Sequence, residues 1–123
     1  MVYIISTILR KAFENHATMG QKTSPEDIWK SLMLFPEDYG YSALYNEVTR
    51  KLMTKIEFEH GGKEYDDQYP KGIPTKMTIT TKNGHTYDSG LILFPGGHSA
   101  NETVDLKNIL AYKFDKLGRL GLD

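Results

Sequence analysis

Three side chains in the second half of the chain could bind an anionic substrate or move a proton. His60 ends the run Lys55–His60, and an imidazole can donate a proton or bind a carboxylate near neutral pH. Lys71 adds a cation in a polar segment that follows. His98 ends the motif Phe-Pro-Gly-Gly-His, where free backbone N–H groups could bind an anion beside a second imidazole. We take His60 as the candidate catalytic residue, and Lys71 and His98 as candidate substrate-binding residues.

The two histidines also have a purely structural interpretation. His60 could be an exposed histidine before Gly61, and the paired glycines before His98 are common in turns. Two larger groupings carry no recognisable chemistry. One is an acidic group around His60, whose spacing matches no metal-ligand signature. The other is a set of serine, histidine and aspartate residues that lacks the nucleophile elbow of a hydrolase. Their members are Glu59, His60, Asp66 and Asp67 in the first, and Asp88, Ser89 and His98 in the second. We therefore predict no metal and no cofactor.

A β-hairpin between Tyr69 and His98 is the element that must position Lys71 and His98. Hydrophobic and polar side chains alternate from Met77 to Thr81, as in a half-buried strand. Lys82–His85 contains Asn-Gly and predicts a two-residue type I′ turn, because both residue types tolerate positive φ. The returning strand is predicted to end in the apolar run Leu91–Phe94.

The rest of the chain predicts a third strand, a loop and helices. Lys55–His60 alternates like a short strand, and Gly61–Pro74 has no periodicity and is predicted as a loop, either shaping a site or simply crossing in solvent. A second polar loop is predicted at Asn15–Thr23. Four helices follow from apolar residues at helical spacing, in segments 1–13, 24–33, 41–52 and 103–117, with Ser24 and Thr103 as caps. The fold class is therefore α+β: a small, mostly antiparallel sheet (one strand plus the hairpin) packed with about four helices.

The first helix is more apolar than a surface helix usually is. Its face contains Ile4, Ile5, Ile8 and Leu9, and it begins at the first residue with no capping side chain before it. We expect it to expose apolar surface in the isolated chain, because a covering body is absent. The alternative is a short chain that buries this helix in its own core.

Composition excludes several classes of function. A length of 123 residues predicts one domain, spanning residues 1–123. Fifteen basic residues balance 16 acidic ones, which argues against nucleic-acid partners. The absence of cysteine fits a reducing compartment, and no stretch predicts a signal peptide or a membrane span. We expect a cytoplasmic protein, or a mitochondrial one in a eukaryote.

Four segments in this order resemble the C-terminal domain of the MmgE/PrpD family, which includes 2-methylcitrate dehydratase, cis-aconitate decarboxylase and iminodisuccinate epimerase. The segments are KLMTKIEFEH, YPKGIPTKMTITTKNG, LILFPGGH and DLKNILAYKFDKL, and the opening VYIISTIL resembles a buried helix of the family that follows a His-Ser pair. The positions that match the family pattern are Lys55, Pro74, Gly84, Pro95, Gly97, Lys113 and Phe114.

The resemblance implies a lyase that acts on a tricarboxylate by metal-independent acid/base catalysis in the methylcitrate cycle. It also implies an absent N-terminal all-helical domain, which in the family supplies most catalytic side chains. In the decarboxylase branch a tyrosine follows the short strand where this chain has His60, which argues against cis-aconitate decarboxylation. The implied partners are the tricarboxylate, and the helical domain or a second copy bound through the first helix.

A different class of function stays open beside the lyase fragment. The chain could be a non-catalytic remnant or an interaction domain that associates with a full-length relative.

Overall fold

The computed structural model describes residues 1–21 and 24–122 and confirms the α+β class. Lys22 and Thr23, which close the polar loop predicted at Asn15–Thr23, lie outside the described residues, and a short helix occupies the earlier part of that loop. The helices are α1 (Val2–Glu14), α2 (His16–Met19), α3 (Pro25–Leu32), a 3-10 helix (Pro36–Tyr39), α4 (Tyr41–Leu44), α5 (Glu47–Met53), α6 (Gly62–Gln68) and α7 (Leu106–Leu122), and the strands are β1 (Thr78–Thr80) and β2 (Thr86–Asp88).

The chain divides into two compact units. The first, here the helical unit, comprises Met1–Glu57 and Lys107–Asp123; the second, the hairpin unit, comprises Phe58–Leu106. The single domain expected from the length stays a prediction. All three candidate site residues belong to the hairpin unit.

In the helical unit, α1 packs on α5, and the fully buried residues of these two helices are small and polar. Ser6 and Thr7 of α1 and Thr49 of α5 are fully buried. Among the described residues of the helical unit, Ile109 of α7 is the one buried apolar side chain. The helical unit therefore leaves most of its apolar surface outside its core.

Capping residues explain where two of these helices begin. The Ser24 hydroxyl accepts a hydrogen bond from the Asp27 N–H at 3.1 Å, so the predicted start of α3 is confirmed. The single helix predicted over 41–52 is wrong, because Asn46 interrupts it. The Asn46 side chain accepts from the Thr49 N–H at 3.1 Å and starts α5 as a separate helix.

The hairpin is confirmed, but its turn differs from the prediction. Strands β1 and β2 are antiparallel, with Thr80 opposite Thr86, and Thr75–Thr81, all of it described, contains no helix. The Thr81 N–H donates to the His85 oxygen at 2.8 Å, which leaves a three-residue loop between them. Gly84 has φ 83°, and no non-glycine among the described residues has positive φ. The type I′ turn is therefore wrong: this is a type I turn followed by a left-handed glycine.

The continuous returning strand is also wrong, because the chain bends after β2. Gly90 has φ 66°, and its N–H donates to the Asp88 carboxylate at 2.7 Å. Beyond this bend, Ile92 forms only an isolated antiparallel bridge with Thr75. A local side-chain hydrogen bond and a left-handed glycine thus interrupt a ladder that the apolar run alone would have continued.

The strand predicted at Lys55–His60 is wrong. Lys55 lies in a turn after α5, and the following residues are irregular and belong to neither strand. Alternation favours an extended chain, but a strand also needs a partner with which to form hydrogen bonds. The loop predicted at Gly61–Pro74 instead contains α6, whose seven residues are too polar to show an apolar period.

The cap predicted for the last helix is wrong. α7 begins at Leu106, and the Thr103 hydroxyl donates to the Asn101 side chain at 3.2 Å, within the preceding loop. Within residues 1–21 and 24–122, no helix combines the length and the apolar character needed to cross a bilayer.

Candidate acid/base and anion-binding residues

His60 lies against the first turns of α6, although a strand was expected to present it. The Gly62 N–H donates to His60 Nδ1 at 3.1 Å, and His60 Nε2 lies 3.4 Å from Asp66 Oδ1. Because Nδ1 accepts this hydrogen bond, a neutral ring in this geometry carries its proton on Nε2. The His60 and Asp66 side chains keep 66% and 60% of their surface exposed, so a ligand can reach them.

Two glycines make this approach of His60 to α6 possible. A Cβ on Gly61 would lie 2.7 Å from the Tyr65 Cβ, which is too close for any side chain. Gly62 has φ 64°, a left-handed conformation that favours glycine. The chain can therefore turn directly from His60 into α6.

Aromatic rings hold one side of the imidazole. The His60 ring meets the Tyr65 ring edge-on, with centroids 5.5 Å apart and an interplanar angle of 63°. Tyr65 in turn stacks on Tyr69 at 5.8 Å with the planes only 9° apart. Because Tyr65 covers one part of the His60 ring, a ligand would approach His60 from its Nε2 atom, where Asp66 lies.

His98 is held by residues of its own segment, and the anion site predicted there stays a prediction. Its ring stacks on Phe94 with centroids 4.8 Å apart, and Nδ1 accepts from the Ala100 N–H at 3.0 Å. The backbone N–H of His98 donates a hydrogen bond to the Pro95 backbone oxygen at 2.8 Å. Because α7 begins only at Leu106, the glycine pair does not lead directly into a helix start.

Lys71 is exposed in the turn after α6. It follows a cis peptide bond between Tyr69 and Pro70. Its ammonium group makes no hydrogen bond or ion pair with any described residue, so it is available to an anion. Over the same part of the chain, His60, Lys71 and His98 share no hydrogen bond, ion pair or ring contact with one another.

The structure adds two contacts to the residues of interest: that of Asp66 with His60 and the ion pair of Lys76 and Asp88. The Gly90 N–H and then the Lys76 ammonium, 3.0 Å away, hold the pKa of Asp88 below its usual value. The hydrogen bond and charge of Asp88 raise the pKa of Lys76. The contact between His60 and Asp66 was not expected, because a helix at 62–68 had not been predicted. The sequence feature that could have indicated this contact is the Gly-Gly pair after His60, which lets the chain turn directly into α6.

The described residues contain no group of three or more His, Cys, Asp or Glu side chains placed to hold a metal ion. No family model, curated protein or solved structure matches this chain.

Proposed function

We propose that this chain is the C-terminal domain of a 2-methylcitrate dehydratase-like lyase. With a helical domain of the MmgE/PrpD type, it would remove water from a tricarboxylate by acid/base catalysis without a metal. The support comes from the order of the four sequence segments that resemble that family. A hairpin with proline and glycine corners between residues 69 and 98 is compatible with that order.

The observation that carries the proposal is the apolar face of α1. Ile4 is 38% exposed, while Ile5, Ile8 and Leu9 are of intermediate exposure, so the four side chains are not all buried. The side chains that α1 buries are Ser6 and Thr7. Apolar surface of this kind favours association. The exposed Ile4 supports the proposal, in which a helical domain covers the apolar face of α1.

Each candidate residue has a separate role in the proposal. His60 and Lys71 are exposed and provide a hydrogen-bond donor and a cation for carboxylates, with His98 as a further contact. Catalysis also needs a proton acceptor and a proton donor held around the same carbon atoms. The helical domain would supply those groups, so the chain alone is expected to be inactive.

The test is an assay for the unsaturated product by its ultraviolet absorbance. The chain alone, the chain mixed with an MmgE/PrpD helical domain, and the same mixture carrying His60→Ala are compared. We expect the chain alone to be inactive and the mixture with the helical domain to be active. The His60→Ala variant should lower the activity of that mixture by at least tenfold. His85→Ala is the matched control, because His85 is exposed beside the hairpin turn. Turnover by the chain alone would contradict the proposal.

A non-catalytic interaction domain is the second candidate, favoured by one observation. Both ring nitrogens of His60 already face groups of this chain, Gly62 and Asp66. If the mixture forms a complex by light scattering but shows no turnover, the interaction role is supported and the lyase role is rejected.

A further inference from the structure

We infer that His60 binds a substrate carboxylate as a neutral hydrogen-bond donor through Nε2–H, and that Asp66 occupies that carboxylate position in this structure. The inference rests on the proposed function for the identity of the ligand, a tricarboxylate. It narrows the role of His60 from proton donor or carboxylate ligand to carboxylate ligand alone.

The contact at Nδ1 determines which proton the ring carries. A nitrogen that accepts from the Gly62 N–H at 3.1 Å cannot itself carry a proton. A doubly protonated ring would turn an N–H of Nδ1 towards the N–H of Gly62 and lose this hydrogen bond. If the neutral ring donated its Nε2 proton, it would become an imidazolate anion, which is too strong a base to form at neutral pH. The geometry therefore favours binding over proton transfer.

The position of Asp66 indicates what kind of group His60 would bind. Its Oδ1 lies 3.4 Å from Nε2, slightly beyond a normal hydrogen-bond length. A carboxylate oxygen therefore already lies next to Nε2, but it is too far away for a strong hydrogen bond. Both side chains are more than half exposed, so a second carboxylate can displace Asp66 at small cost.

Lys71 extends this arrangement within the same compact unit. It follows α6 closely in the chain, is exposed, and has no partner among the described residues. A tricarboxylate carries further carboxylates that need a cation, and a lysine ammonium is suited to that purpose as a mobile point charge.

The first test measures binding of citrate, used as the tricarboxylate probe, to the isolated chain. Shifts of the His60 ring signals and the Gly62 amide are followed by NMR as citrate is added. Asp66→Asn removes the competing carboxylate, so we expect citrate to bind about 2- to 5-fold more tightly than to the unchanged chain. His60→Gln should abolish the shift at the Gly62 amide.

Glu64→Gln is the matched control, because it removes one negative charge from the same helix without touching His60. It should change the citrate affinity less than Asp66→Asn does. Equal effects of the two variants would show that only net charge matters, and would overturn the role of Asp66.

The second test reads the ring tautomer directly. At a pH where the ring is neutral, ¹⁵N shifts should assign the proton to Nε2 almost entirely, and Gly62→Ala should move the distribution towards that of a free histidine. A mixed tautomer in the unchanged chain would reject the inference. Neither test depends on turnover, so an inactive mixture that still binds citrate through His60 would reject the lyase proposal alone.

Discussion

Two hydroxyl groups of α1 are fully buried without a hydrogen-bond partner in the described structure: those of Ser6 and Thr7. Burying an unpaired hydroxyl costs about 1–3 kcal/mol, so these groups reduce the stability of the helical unit. Their small size is nevertheless useful, because α1 packs on α5, and the fully buried residues of these two helices, Ser6, Thr7 and Thr49, are all small. The contact is therefore close but polar.

Replacing Thr7 by valine should stabilise the protein by about 1 kcal/mol, since the shape is kept and the unpaired hydroxyl is removed. The measurement is the free energy of unfolding in urea. Thr54→Val is the control, because the exposed Thr54 hydroxyl donates to the Lys51 oxygen at 2.9 Å and its loss should be neutral or slightly destabilising. A destabilised Thr7→Val protein would show that this hydroxyl has a partner.

Asp38 presents the opposite case, a nearly buried carboxylate with several partners. Its Oδ2 accepts from the Lys11 ammonium at 2.7 Å and from the Phe35 N–H at 2.9 Å, while its backbone oxygen accepts from the Tyr3 hydroxyl. The Asp38 side chain is 9% exposed and that of Lys11 16%. This residue fastens the 3-10 helix to α1.

Asp38→Ala should destabilise the protein by roughly 2–4 kcal/mol, because it leaves the Lys11 ammonium partly buried without its counter-charge. Asp67→Ala is the matched control: Asp67 pairs with Lys63 at 2.5 Å, but both are largely exposed, so its loss should cost less than about 1 kcal/mol. Unfolding in urea measures both. Similar costs would mean that burial does not distinguish the two pairs.

At the scale of elements, the hairpin turn offers a direct test of its geometry. Gly84→Ala should destabilise the protein by about 1–2 kcal/mol, because alanine must adopt the left-handed φ of 83°. Asn83→Ala should cost less, because Asn83 does not have a positive φ and loses only the hydrogen bond from Thr81. In a type I′ turn both substitutions would be costly, so equal losses of unfolding free energy would contradict the observed loop.

The bend after β2 should depend on pH through Asp88. Its pKa is lowered from about 3.8 by the Gly90 N–H and by Lys76, so the folded bend prefers the ionised carboxylate. This contribution is complete above the unfolded pKa and is lost as the pH falls through the lower, folded pKa. The Gly90 amide shift should therefore titrate below pH 3.8, and Asp88→Asn should abolish that titration. Asp115→Asn, which removes a different paired carboxylate, should not; a titration that survives Asp88→Asn would exclude Asp88 as its source.

Some elements could be predicted because their signals are local. Ser24 and Pro25 fix the start of α3, and the Asn-Gly turn fixes the hairpin, whatever the rest of the chain does. The prediction of a strand at Lys55–His60 was wrong, because alternating side chains do not reveal whether a partner strand exists. α6 was missed because a short polar helix has no apolar stripe, and with it the contact of Asp66 to His60 was missed. The sequence thus identified His60 as a candidate residue, but it did not reveal that Asp66 lies beside it.

At the scale of the helical unit, apolar faces of two helices stay uncovered. Phe114 and Leu110 of α7 are 82% and 53% exposed, and α1 exposes Ile4 and partly Ile8. Beside α1, a groove of about 590 Å³ is formed with α3. Its lining residues are Ile8, Pro25, Ile28, Trp29, Leu32, Met33 and Leu34. The proposed helical domain would cover this groove.

Trp29 makes this proposal measurable, because it is the single tryptophan of the chain and lines the groove. Transfer of its partly exposed indole from water to an apolar contact should move its fluorescence emission to shorter wavelength. We expect this shift when an MmgE/PrpD helical domain lacking tryptophan is added. Ile8→Ser should weaken it by reducing the apolar surface at the groove, with circular dichroism checking that α1 stays helical. Phe114→Ser is the control, since Phe114 lies outside the groove, and should leave the shift unchanged. Association without any change at Trp29 would place the contact elsewhere, and α1 would then no longer support the lyase proposal.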